Sequence, residues 1–145
     1  MNSDDMRRGI VPGVIAGYIF LAYAGGMSMQ GMVGNMISAD SFIGFILHII
    51  ISIVIGALYT GVFMQYVNLG NPLVNIVVGG LIYGLIWWII GGNIIMPVVM
   101  GGEAQVLALD LSSPSFYGHI IFGHVLAFLV VLRDAAMGMG GGDDS

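Results

Sequence analysis

The sequence has no cysteine and no lysine, and only 8% of its 145 residues are charged. The missing thiol excludes disulfides, thiolate metal sites and cysteine nucleophiles. The missing charge excludes more. A soluble domain carries about 25% charged residues, and a chain that is 58% hydrophobic cannot cover itself with a wetted surface. Arg7, Arg8 and Arg133 are the whole basic complement, against eight acidic residues. The acidity sits at the ends and in loops, so no nucleic acid is expected as a partner. Between Asp40 and Glu103 there is no formal charge. No Asp or Glu interrupts an apolar run, so carboxylate acid–base and proton-relay chemistry lack their parts. Walker, Rossmann, HExxH and GxSxG motifs are also missing. These absences together predict a protein that is not an enzyme and has no catalytic residue.

What the sequence does contain is long uncharged runs. Residues 79–102, GGLIYGLIWWIIGGNIIMPVVMGG, hold 24 residues and no charge. Roughly twenty helical residues cross a hydrocarbon core of about 30 Å. Nothing in the run alternates as a strand does, and a soluble helix of this length has a polar face. The expected fold is all-α, a four-helix transmembrane bundle. A tail over 1–8 precedes an integral membrane domain over 9–133, with spans at about 9–33, 41–66, 73–96 and 114–132, and a flexible acidic tail over 134–145 follows. Ser41 and Ser113 are placed as N-caps, with Pro114 at the first helical position. Residues 67–72, VNLGNP, form a turn, and Pro97 breaks or kinks the third span. Arg7-Arg8, an apolar run and Ala22-Tyr23-Ala24 imitate a signal peptide. Asp4 and Asp5 precede the arginines, however, and the apolar run continues past the cleavage-like site, which favours a retained span.

Arginine placement sets the expected orientation. The three arginines flank the outer ends of the first and last spans, which puts both termini in the cytoplasm and requires an even number of spans. The chain is then a multi-pass protein of the cell membrane. Two segments also repeat. GVIAGYIFLAYAGG over 13–26 resembles GGLIYGLIWWIIGG over 79–92, and Ser41-Phe42-Ile43-Gly44 resembles Ser115-Phe116-Tyr117-Gly118. Either the bundle is two pseudo-repeated hairpins in parallel orientation, or helices rich in glycine and isoleucine coincide by chance.

Polar and small residues inside the spans are the informative ones. Gly9, Gly13 and Gly17 recur every fourth residue, and Gly80 and Gly84 repeat the spacing, as helix-packing stripes do. His48, Ser52 and Tyr59 share a face of the second span. Asn75, Tyr83, Trp87 and Asn93 form a broader stripe on the third. His119 and His124 lie five apart on the fourth span and point about 140° from one another, so they do not share a metal. His48 and His119 are placed to meet across the bundle. That geometry suits bis-histidine haem ligation, with His48, His119 and His124 as the candidate ligands; the plainer reading is hydrogen bonding between helices. Met27, Met29, Met32 and Met36 at the end of the first span, with Met96 and Met100 on the third, offer thioethers of the kind that select Cu(I). The plainer reading there is apolar filling, since the chain has 11 methionines. Trp87 and Trp88 lie mid-span, one expected towards the bundle and one towards lipid, with a quinone or lipid headgroup slot as the alternative to packing.

The run Tyr83-Gly84-x-x-Trp87-Trp88-x-x-Gly91, with Met96-Pro97 and Gly101 and then Gly118-His119-x-x-x-Gly123 and Leu126, resembles a family of small four-span prokaryotic membrane proteins of unknown function. The resemblance covers the third and fourth spans, about half the chain. It implies a compact helical membrane domain in which Trp87, Pro97 and His119 matter, and it implies no activity. His124 departs from the pattern and weakens any two-histidine site on the fourth span. The expected function is a non-enzymatic structural or accessory subunit of a membrane complex, or a self-associating bundle. Its partners would be the lipid bilayer and other membrane subunits or itself. The alternatives are a haem- or copper-binding redox or metal-handling protein using His48 and His119, and a small transporter.

Overall fold

The structure is a computed structural model that describes residues 3–24, 33–34, 40–106 and 109–138. Four long helices carry it: α1 (Ser3–Tyr23), α2 (Ser41–Tyr66), α3 (Pro72–Val99) and α4 (Pro114–Ala136). There is no strand among the described residues. α2, α3 and α4 are each long and apolar enough to cross a membrane.

α2 coincides with the expected second span. α1 differs, because it begins inside the expected tail over 1–8. Asp4 and Asp5 occupy its first turn, where the helix dipole favours negative charge. They pair one turn on with Arg7 at 3.6 Å and Arg8 at 3.3 Å. The outer part of the expected first span, with Met27, Met29 and Met32, lies outside the described residues. α4 runs past the expected end at 132, and Asp134, expected in a flexible tail, is buried at 7% exposure. Arg8 explains both extensions. Its Nε donates to Asp134 Oδ1 at 3.2 Å, a second guanidinium nitrogen donates to Oδ2, and the pair clamps the start of α1 to the end of α4. The bonded carboxylate in turn raises the Arg8 pKa above its ordinary value.

The caps follow side-chain chemistry. Asp40, not Ser41, caps α2, its carboxylate accepting from the Ile43 N–H at 3.0 Å. Ser113 caps α4 by accepting from the Phe116 N–H at 3.1 Å, with Pro114 at the first helical position. Asn71 caps α3 through the Leu73 N–H at 2.9 Å. In the turn before it, Gly70 has φ 72°, which its lack of a Cβ permits. Asn75 accepts from the Leu69 N–H at 2.8 Å and belongs to this turn rather than to a polar stripe within the bundle. In the loop before α4, Asp110 accepts from the Ser112 hydroxyl and N–H, which holds its carboxyl below the usual carboxylate range.

Three stretches widen from α to π geometry: Tyr59–Phe63 in α2, and Asn75–Gly79 and Trp88–Ile95 in α3. The last stands just ahead of Pro97, where a break or kink was expected; the helix is not broken there. Proline lacks an N–H and crowds the turn before it. The widened turn shifts the backbone pairing ahead of Pro97, and the helix continues to Val99.

Each helix runs antiparallel to the next. α1 packs against α2 and α4, and α4 packs against α3, so the order round the bundle is α2, α1, α4, α3. Two of the seams are made by glycine. Gly9, Gly13 and Gly17 of α1 pack against α2, and a Cβ on Gly56 would come 2.7 Å from Gly13 Cα. On the other side Gly80 and Gly84 of α3 pack against α4, and a Cβ on Gly84 would come 2.5 Å from the His119 carbonyl oxygen. Such contacts let backbones approach and gain dispersion energy where lipid offers no hydrophobic drive. α2 and α3 meet differently, through side chains. Tyr83 packs against Tyr59 and Phe63 with ring centroids 4.9 and 4.8 Å apart, and its hydroxyl donates to the Ile55 carbonyl at 2.6 Å.

Candidate functional site

An aromatic seam holds two helices further apart than a glycine seam, and space remains beside it. A cavity of about 570 Å³ lies in the half of the bundle remote from the Arg8–Asp134 clamp. Every helix contributes to its wall: Phe20 from α1, His48 and Ser52 from α2, Trp87 and Met96 from α3, Ser115, His119 and Phe122 from α4. The remaining lining is aliphatic or glycine apart from Pro114. Ile50 and Val54 of α2 and Ile95 of α3 line it and are also exposed on the outside of the bundle, at 52%, 51% and 41%. The cavity therefore opens sideways between α2 and α3. A second groove of about 280 Å³, lined by Phe63, Tyr66, Tyr83 and Trp87 among others, continues along the same seam.

The structure sets His48 and His119 on the wall of the same cavity. Phe20 lies against both. Its ring stacks on His48 with centroids 5.9 Å apart and meets His119 edge-on at 5.0 Å. Each imidazole has one nitrogen committed. His48 Nε2–H donates to the Gly17 carbonyl across the α1/α2 seam at 3.0 Å. His119 Nδ1–H donates to the Ser115 carbonyl one turn back at 2.7 Å. A ring nitrogen facing a carbonyl carries the proton, so in the neutral rings His48 Nδ1 and His119 Nε2 hold lone pairs. The Nε2 edge of His119 faces α3 where two consecutive residues have no side chain. A Cβ on Gly91 would stand 3.7 Å from His119 Nε2, and one on Gly92 would stand 3.6 Å from Cε1 and 3.0 Å from Ser115 Oγ.

The other candidate residues separate from this site. His124 does not line the cavity; its Nδ1–H donates to the Ile120 carbonyl at 2.8 Å, and its backbone packs against Gly80. Ser52 lines the cavity but donates its hydroxyl to the His48 carbonyl at 2.8 Å, which steadies the helix turn carrying that ring. Tyr59 and Tyr83 are seam residues. Trp88 is the buried tryptophan, packed edge-on to Phe116 at 4.9 Å, and Trp87 lines the cavity, so both turn inward. The expectation of one tryptophan towards lipid assumed a regular turn, and the widened turn starts at Trp88. Asn93 Nδ2 is buried without a hydrogen-bond partner among the described residues.

Sequence reasoning missed Phe20, Ser115 and the pair Gly91–Gly92 as site residues. Phe20 reads as ordinary apolar filling in an apolar run. A Gly-Gly pair opposite a Ser-x-x-x-His turn was visible, but only after α3 and α4 are known to be neighbours. No group of three or more His, Asp or Glu side chains stands close enough to hold a metal ion among the described residues. Comparison with protein families, with curated proteins and with solved structures finds no match for the chain. The family resemblance carried by Tyr83 to Leu126 therefore rests on those residues alone.

Proposed function

We propose that the chain is a multi-pass protein of the cell membrane with four spans and both ends in the cytoplasm. It works by binding rather than by catalysis, as an accessory subunit or self-associating bundle whose interior holds a lipid-soluble molecule. One observation carries this reading: a cavity of about 570 Å³, walled by all four helices, opens between α2 and α3 through apolar side chains. Ligand pockets span about 300–1,000 Å³ and are mostly apolar with a few placed polar groups. A gap of that kind at membrane depth admits molecules from the bilayer. The Arg8–Asp134 clamp supports the topology, because it ties the start of α1 to the end of α4.

Native mass spectrometry of the protein released from lipid nanodiscs tests the binding role. A small apolar molecule retained in substoichiometric or full amount supports it, and a bare chain after gentle release contradicts it. Topology is tested in the cysteine-free background by thiol labelling of Ser3→Cys and Ala136→Cys from the cytoplasmic face. Labelling from opposite faces would overturn the four-span scheme.

The haem reading has one observation in its favour, His48 and His119 on one cavity. Two oppose it: Phe20 occupies the space against both rings, and His48 Nε2 is bound to Gly17. Its test is the visible spectrum of the purified protein, where a Soret band would reinstate it.

A further inference from the structure

The polar groups of the cavity define what kind of head the bound molecule carries. We infer that the cavity takes a neutral amphiphile with a hydroxyl head, and that this hydroxyl donates to His119 Nε2. The inference rests on the reading that the cavity holds a lipid-soluble molecule, and it adds the chemistry of recognition.

A histidine free to choose its tautomer presents either a donor or an acceptor. His119 is not free. The carbonyl of Ser115 fixes the proton on Nδ1, so the nitrogen aimed at the Gly91–Gly92 gap is an acceptor. His48 is held the same way by Gly17, with its proton on Nε2. The free ring nitrogen of each is thus a lone pair. A head that offers only lone pairs, such as a ketone, an ester carbonyl or an ether, can accept from the Ser115 hydroxyl or from Trp87 Nε1–H, which is buried without a partner among the described residues, but it finds no partner on either imidazole. A hydroxyl does, and it also keeps an acceptor lone pair for Ser115 Oγ, which stands beside the same gap.

Charge and shape narrow the class. Among the described residues no Asp, Glu, Lys or Arg lines the cavity, so an ionised head has no counter-ion there, and its desolvation would go uncompensated. Phe20, Trp87 and Phe122 supply aromatic surface round the polar end, and Ile50, Ile51, Val54 and Ile55 lead from it towards the mouth. A ring or short head would sit between the aromatics and His119, and its aliphatic chain would leave between α2 and α3. Hydroquinones and other phenols with an alkyl chain satisfy all of this, and so do long-chain alcohols. Their shared chemistry is a neutral O–H on an apolar body.

The test uses the full chain in nanodiscs and three probes: decylhydroquinone kept reduced, its dimethyl ether, and dodecanol. Binding is read by tryptophan fluorescence, since Trp87 lines the cavity. The hydrogen bond is read on the unmodified protein by the 15N resonance of the lone-pair nitrogen of His119. Decylhydroquinone should bind at least about tenfold more tightly than its dimethyl ether and should move the His119 Nε2 resonance, leaving that of His124 in place. His119→Phe, which keeps the apolar bulk, should bring the two affinities together. Dodecanol binding as tightly as the hydroquinone would assign recognition to the hydroxyl alone, and weaker binding would assign it to a phenolic head; either agrees with the inference. Equal affinity for hydroquinone and ether, with a still His119 resonance, would overturn it while leaving the cavity reading intact. Failure of all three probes to bind would overturn the cavity reading itself.

Discussion

The α1/α2 and α2/α3 seams share a helix and differ in what lies between the backbones. At the first, Gly9, Gly13 and Gly17 meet Gly56 and Ser52, and no room is left for a methyl group. At the second, Tyr59, Phe63 and Tyr83 stand between the helices, and space is left on the cavity side and on the groove side. Small residues close a membrane seam and large aromatic ones prop it open. In water the aromatic seam would be the drier and stronger of the two, because burying large apolar surface would drive it shut. In lipid that drive is lost, and close backbone contact decides. The bundle is closed where its structure requires it, and the opening falls where two histidines are presented.

Breaking the tight seam should have the largest effect. Gly56→Leu would drive a side chain into the Gly13 backbone, and overpacking that neither backbone nor rotamer can relieve costs about 3 kcal/mol or more. The expected result is loss of the folded bundle in a detergent unfolding titration. Val54→Leu on the same helix but at the mouth of the open seam should change stability by less than about 0.5 kcal/mol. Equal damage from the two would erase the distinction between the seams.

Removing half of the clamp comes next. Asp134→Ala leaves Arg8 part-buried beside Asp5; because Arg8 keeps a quarter of its side chain exposed and a second carboxylate, the expected loss is about 1–2 kcal/mol, below the cost of stripping a fully buried pair. The companion Asp134→Ala/Arg8→Met should recover most of that loss in the same titration, because the uncompensated charge is gone. A double variant no better than the single one would mean that the pair is not what ties α1 to α4.

Tyr83→Phe keeps the aromatic prop and deletes its hydrogen bond to the Ile55 carbonyl, so a loss of about 1 kcal/mol is expected, with the cavity still open to probes. A loss of several kcal/mol would show that the hydroxyl rather than the ring sets the α2/α3 spacing. Alanine in place of glycine separates the two seams by sign. Gly91→Ala points into the cavity with its nearest neighbour 3.7 Å away; it should stabilise α3 by about 0.5–1 kcal/mol. Gly13→Ala is the same substitution on the closed seam and should destabilise. Thermal unfolding of both variants side by side checks the sign.

Much of the fold was legible because lipid leaves few options for a backbone. The uncharged run from 41 to 66 gives α2 to the residue, and Ser113-Pro114 gives the start of α4. The ends of α1 and α4 were not legible, since Arg8 and Asp134 are 126 positions apart and nothing local announces their pairing. Widened turns were equally hidden, because π geometry has no composition of its own; only Pro97 hinted at the third. In the site, helical spacing placed His48 and His119 on facing helices. Which nitrogen each ring presents depends on the Gly17 and Ser115 carbonyls, and carbonyl positions are not written in residue identity. Asn75 shows the opposite error: polarity alone suggested a stripe, whereas its amide belongs to the turn at 67–72.

The interior should be accessible from the bilayer at the α2/α3 seam. Photolabelling of the unmodified protein in nanodiscs with a small hydrophobic diazirine, mapped by mass spectrometry, tests it most directly. The account predicts insertion at Phe20, Ser115 and His119, inside the cavity, and none at Ala16, Leu126, Ala127 or Val130, which are fully buried. Labelling confined to the outward faces of the helices, with Phe20 and His119 untouched, would contradict it.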